Sequence, residues 1–120
     1  MNKSSKRSLR REATAGPASS TRALRAALDR RQGELVARNP RYRKALDILC
    51  RRAVTSVELR EITGCQYGPA LVHNLRAAGF DIEGEPVRHQ AEDGLMVTIR
   101  RYFMSTAERR RTRALLARLA

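Results

Sequence analysis

Tryptophan is absent from this 120-residue chain, and three Tyr and two Phe make up its whole aromatic complement. Proteins that hold single-stranded nucleic acid usually stack its bases on aromatic side chains, so that mode of binding is poorly supported, and the core has to be aliphatic and modest. No apolar run approaches the ~18 residues a membrane span needs, and the charged N-terminus is not followed by the apolar stretch of a secretory signal. The expectation is a soluble, cytoplasmic protein with no membrane partner. Cysteine is scarce as well: Cys50 and Cys65 stand far apart with no Cys-x-x-Cys spacing. They read as reduced structural thiols, not as a disulfide or a metal pair. Two histidines, His73 and His89, are too few for a histidine metal site. There is no Gly-rich phosphate loop, no histidine paired with Ser or Cys in a known motif, and no carboxylate pair isolated in apolar sequence. Neither an enzyme nor a cofactor or metal site is expected.

What the chain has in abundance is positive charge. Lys and Arg number 25 against 12 Asp and Glu, a formal net charge of +13, and such an excess attracts polyanions. Its distribution is uneven. Residues 1–38 carry 10 basic and 3 acidic groups, residues 39–104 carry 10 and 8, and residues 105–120 carry 5 and 1. The flanks hold the excess, around a nearly balanced middle.

The opening MNKSSKRSLRREATAGPASS has no sustained apolar period and buries too little to order itself, so residues 1–19 read as a disordered basic arm. From residue 20 to 38, Leu24, Leu28, Leu35 and Val36 recur at helical spacing behind a Ser20 or Thr21 cap. Asn39-Pro40 ends that helix and starts another, Asn as cap and Pro at the first helical position. Its stripe is Ala45, Leu46, Ile48 and Leu49. Thr55 and Glu58 form a capping box for the next helix, with Val57, Leu59 and Ile62 inward. Gly64 can stop it in the left-handed conformation. Pro69 then opens a third helix on which Leu71, Leu75 and Ala78 face the core, and Gly79 ends it. Beyond Gly79 the period changes from helical to alternating: Phe80 and Ile82, then Val97, Ile99 and Phe103 against Thr98, Arg100 and Tyr102, around the polar bend Gln90–Gly94. That pattern predicts an antiparallel hairpin with Pro86 on an edge. Ser105 and Glu108 make a second capping box, for a basic helix over residues 105–120 with Leu115, Leu116 and Leu119 on one side.

The segments TSVELREITGC, ALVHNLRAAGFDIEGE and VTIRRYFM, in that order, resemble the winged helix-turn-helix domain of small bacterial, phage and plasmid DNA-binding proteins. The resemblance covers residues 39–104, about half the chain. It implies a mainly α fold with a β-hairpin wing, here flanked by an N-terminal and a C-terminal helix. It also implies double-stranded DNA as partner, with the helix from Pro69 in the major groove and the hairpin tip on the backbone or in the minor groove. In such units the position four residues before Gly64 faces inward; here it is Arg60.

On that reading His73 points away from Leu71 with Ala70, Arg76 and Ala77 around it, while Asn74 lies nearer the buried side. Arg76 and His73 are candidate base contacts, and Gln66 and Tyr67 at the helix entrance reach bases or phosphates. On the wing, Arg88, Arg100 and Arg101 are candidate phosphate contacts; Arg100 and Arg101 alternate, one pointing out and the other lying along the core's edge, with Arg100 the preferred phosphate contact. Lys6, Arg7, Arg10 and Arg11 of the arm add affinity without sequence preference. Plainer readings stand beside these: His73 as a solvent-facing residue, and Arg76 paired with Glu58 or Glu61. The function expected is a sequence-preferring DNA-binding protein, a small transcriptional regulator. The alternative is a winged protein-interaction module whose Arg-rich flanks bind nucleic acid non-specifically. The apolar stripes near 21–38 and 106–119 either pack on their own domain or form a homodimer.

Overall fold

The computed structural model describes residues 17–119, so Lys6, Arg7, Arg10 and Arg11 lie outside the described residues. The chain divides into two compact units, one ending at Arg31 and one beginning at Gln32. The first helix, α1 (Pro17–Ala37), runs through that division. It starts three residues before the expected Ser20, with a proline in the position where a missing N–H is harmless. Leu24 on α1 is 72% exposed, whereas Val36 in the second unit is buried.

The second unit continues with α2 (Pro40–Leu49), the short strand β1 (Val54–Thr55), α3 (Ser56–Thr63), α4 (Gly68–Ala77), β2 (Glu83–Gln90), β3 (Met96–Phe103) and α5 (Thr106–Leu119). This is the mainly helical fold with a hairpin wing and flanking helices that the sequence implied. Asn39 stands at the start of α2, but its side chain makes no bond there. Its Nδ2 donates instead to the Leu35 carbonyl at 2.7 Å. It therefore closes the end of α1, where carbonyls lack partners, and Pro40 starts α2 unaided.

The α3 capping box is formed as expected: the Glu58 N–H donates to Thr55 Oγ1 at 3.1 Å and the Thr55 N–H to Glu58 Oε1 at 2.9 Å. That backbone bond and the neighbouring Arg52 hold the Glu58 carboxyl below its usual range, despite the opposing effect of burial. Two expectations on α3 need correction. Ile62 is 37% exposed while Thr63 is buried, and Arg60 is exposed. At 100° per residue Thr63 lies closer to the direction of Leu59 than Ile62 does, and Arg60 points well away from it. Burying Thr63 is inexpensive because its hydroxyl donates to the Leu59 carbonyl at 2.7 Å and accepts from the Cys65 N–H at 3.1 Å. Gly64 ends α3 at φ 78°, a conformation that carries no steric cost for glycine alone. The residue that lets α3 and α4 approach is Gly68, where a Cβ would stand 2.7 Å from the Ser56 carbonyl oxygen.

The sheet order is β1-β3-β2, all antiparallel. β1 was not foreseen, since two residues show no period. Pro86 sits on β2, an edge strand, as expected. On β3, Tyr102 is the buried residue at 3% exposure, whereas Val97 is 40% exposed and Ile99 and Phe103 are half-buried. Tyr102 is thus inward where it was expected outward, although Thr98 and Arg100 on the same face are exposed. Tyr102 pairs with Val54 on one side and Gly84 on the other, and in a strand one register decides every side chain's face.

The core joins Leu46 and Leu49 of α2, Leu59 of α3, Leu71, Val72 and Leu75 of α4, Phe80, Ile82, Tyr102, and Leu115 and Leu116 of α5. The last two leave α5 no free apolar stripe for a partner. Cys50 and Cys65 are free and buried, and burial pushes the Cys50 thiol up. In the second capping box the Glu108 N–H donates to Ser105 Oγ at 3.1 Å. The Glu108 carboxylate accepts from the Asp81 N–H at 2.9 Å and from Arg111 Nη2 at 2.9 Å. Arg111 Nη1 in turn donates to Gln32 Oε1 at 2.8 Å, and Gln32 Nε2 donates to the Ala78 carbonyl at 3.0 Å. Arg113 Nη2 donates to the Cys50 carbonyl at 2.7 Å. Two arginines of the basic C-terminal helix are therefore spent on holding the domain together.

Candidate nucleic-acid interface

α4 buries Leu71, Val72 and Leu75 and leaves Ala70, His73, Asn74, Arg76 and Ala77 exposed. Val72, absent from the expected stripe, takes the inward place, so Asn74 joins the outer face with His73. Tyr67, which precedes the helix, is 66% exposed, with Gln66 exposed beside it.

Two clefts meet at this entrance. One, of ≈ 340 Å³, runs between α3, the start of α4 and the wing, and its polar lining includes Arg60, Gln66, Thr98 and Arg100. The other, of ≈ 930 Å³, lies between the start of α2 and the outer side of α4, and is lined by Arg41, Lys44, Gln66 and Asn74 among others. Gln66 and Tyr67 border both. No acidic side chain lines either cleft among the described residues.

The wing residues separate by face. Register sets Arg100 opposite Pro86 and Arg88 opposite Thr98, so Arg88, Thr98 and Arg100 share the side that bounds the first cleft. Arg101 is on the other side, ion-paired with Glu85, and both it and Arg100 are exposed, where one of the two was expected along the core's edge. Arg76 pairs with neither Glu58 nor Glu61. Its Nε donates to the Ile82 carbonyl at 2.8 Å, and its guanidinium carbon lies 5.8 Å from the centroid of the Tyr102 ring. Burial pushes the Tyr102 hydroxyl up, against the pull of Arg76 and Arg100 beside it. The structure thus gathers Gln66, Tyr67 and Arg100 in one cleft, sets Arg76 against Tyr102, and holds His73 on the outer helix face.

Arg41, Lys44 and Arg60 were missed, yet two of them carried a signal. α2 begins Pro-Arg-Tyr-Arg-Lys with no acidic residue in its first turn. Cations at a helix N-terminus oppose the macrodipole by about 0.3–1 kcal/mol each, so their presence there points to something other than helix stability. A phosphate at that end would meet both the side chains and the free N–H groups.

A family model described as a winged helix-turn-helix domain matches residues 40–107, from the first residue of α2 into the first turn of α5. A search of the curated proteins finds no match.

Proposed function

This chain belongs to the winged helix-turn-helix family, and on that premise we propose that it binds double-stranded DNA with sequence preference, as a small regulator of transcription. α4 enters the major groove, presenting His73 and Asn74 to base edges and the small Ala70 and Ala77 to thymine methyls. Arg60 and Arg100 on one side, and Arg41 and Lys44 on the other, hold the phosphate rows that border the groove. The observation that carries this reading is the pair of acid-free basic clefts meeting at the entrance of an uncovered helix.

The main rival, a protein-interaction surface on α4, is less well supported. The exposed face of that helix has no large apolar side chain, and of the exposed large hydrophobics among the described residues Tyr67 alone stands beside it, at its entrance. Selection of bound sequences from a random duplex pool tests the proposal. The pool is expected to yield a motif in which each altered base pair costs about 1–3 kcal/mol, and His73→Ala is expected to change that motif. Recovery of no motif at any salt concentration refutes sequence preference.

A further inference from the structure

The wing tip does not suit the phosphate backbone. Residues 91–97, Ala-Glu-Asp-Gly-Leu-Met-Val, contain two acids and no base. Leu95, Met96 and Val97 are exposed at 66%, 50% and 40%. Three large apolar side chains in a row on one tip differ from the scattered apolar residues of ordinary surfaces. The tip is also well built. The Ala91 N–H donates to the Leu95 carbonyl at 2.8 Å and the Gly94 N–H to the Ala91 carbonyl at 2.9 Å. The Leu95 N–H donates to Asp93 Oδ1 at 3.0 Å and Gln90 Nε2 to the Gly94 carbonyl at 3.2 Å. Like-charge repulsion by Glu92 and Asp93 turns this tip from DNA toward a basic, apolar protein surface.

We propose that the wing tip docks on α1 of a second copy of this chain. Leu24 on α1 is the most exposed large apolar residue described, at 72%. Beside it, Arg25 lies about 100° round the helix and Leu28 one turn further along the same side. Apolar tip meets apolar stripe, and Glu92 and Asp93 meet Arg25. Tip and helix are different surfaces, so each contact is head-to-tail, and repeating it gives a closed ring or an open chain. It does not depend on DNA.

Sedimentation of the full chain without DNA tests this. Wild type is expected to associate as its concentration rises, and less so at high salt. Leu24→Glu and the wing variant Leu95→Ser/Met96→Ser, each altering only exposed side chains, are expected to lose at least tenfold in association. An equimolar mixture of the two variants then regains a dimer and nothing larger, because one intact tip meets one intact helix. A wild type that stays monomeric, variants that assemble like wild type, or a mixture that stays monomeric each overturns the proposal. Cysteine pairing gives a reading that does not depend on those variants. Copies carrying Leu24→Cys and Met96→Cys, mixed under mild oxidation, are expected to join to each other; joining only like to like overturns the head-to-tail contact.

Discussion

Removing both basic side chains from the wing-side cleft, as Arg60→Ala/Arg100→Ala, takes away two cations and leaves the core untouched, since both residues are exposed. Neither has an ion-pair partner among the described residues, so no acidic group is stranded by their loss. Each phosphate neutralised by a protein cation contributes about 0.9 to the slope of log affinity against log salt. The double variant is therefore expected to have a slope shallower by about 1.8, and to bind any duplex roughly 30-fold more weakly at about 0.15 M salt and roughly 200-fold more weakly at about 0.05 M. Fluorescence anisotropy titrations across that salt range measure both quantities. Arg101→Ala serves as the control, because Arg101 faces the other side of the sheet with Glu85 as its partner; its slope should match wild type. An unchanged slope in the double variant, or an equal change in the control, refutes the assignment of this cleft to phosphate.

Gly68→Ala sets a methyl group 2.7 Å from the Ser56 carbonyl oxygen, and the forced separation of α3 from α4 is expected to cost about 1–3 kcal/mol, read by urea denaturation. Arg111→Met removes its charge-assisted bonds to Gln32 and to the little-exposed Glu108 carboxylate; a loss of about 1–3 kcal/mol is expected from those bonds, again by denaturation. Glu58 has a folded-state pKa below its ordinary 4.5, so between the two values the unfolded chain binds more protons and stability rises with pH. Its contribution is present above about 4.5 and is lost as pH falls through the folded-state value. Glu58→Gln is accordingly expected to melt below wild type at pH 7 and to converge with it in strong acid, and a difference that persists undiminished at low pH contradicts this.

Much of the architecture was legible because its signals are local. The Thr55–Glu58 capping box, the left-handed Gly64, Pro40 at a helix start and the change of period after Gly79 each lie within a few residues and make the same bonds in almost any surroundings. The clefts were only partly legible. Gln66, Tyr67 and Arg100 were identified from an entrance and a strand, but Arg60 had been placed inward by analogy, and Arg41 and Lys44 were passed over although they sit at the wrong end of a helix dipole.

The amino-acid order by itself determined where helices begin and end, that the core is aliphatic, and that positive charge gathers outside the middle of the chain. Only the tertiary structure decided which side of β3 is buried, where Glu108 and Arg111 send their charges, and which arginines remain free to meet a phosphate. Capping and periodicity act between neighbours along the chain. A strand with bulky residues on both faces, or an arginine with several possible acceptors, is settled by partners far away in sequence: Val54 and Gly84 for Tyr102, Gln32 for Arg111, and Ile82 for Arg76.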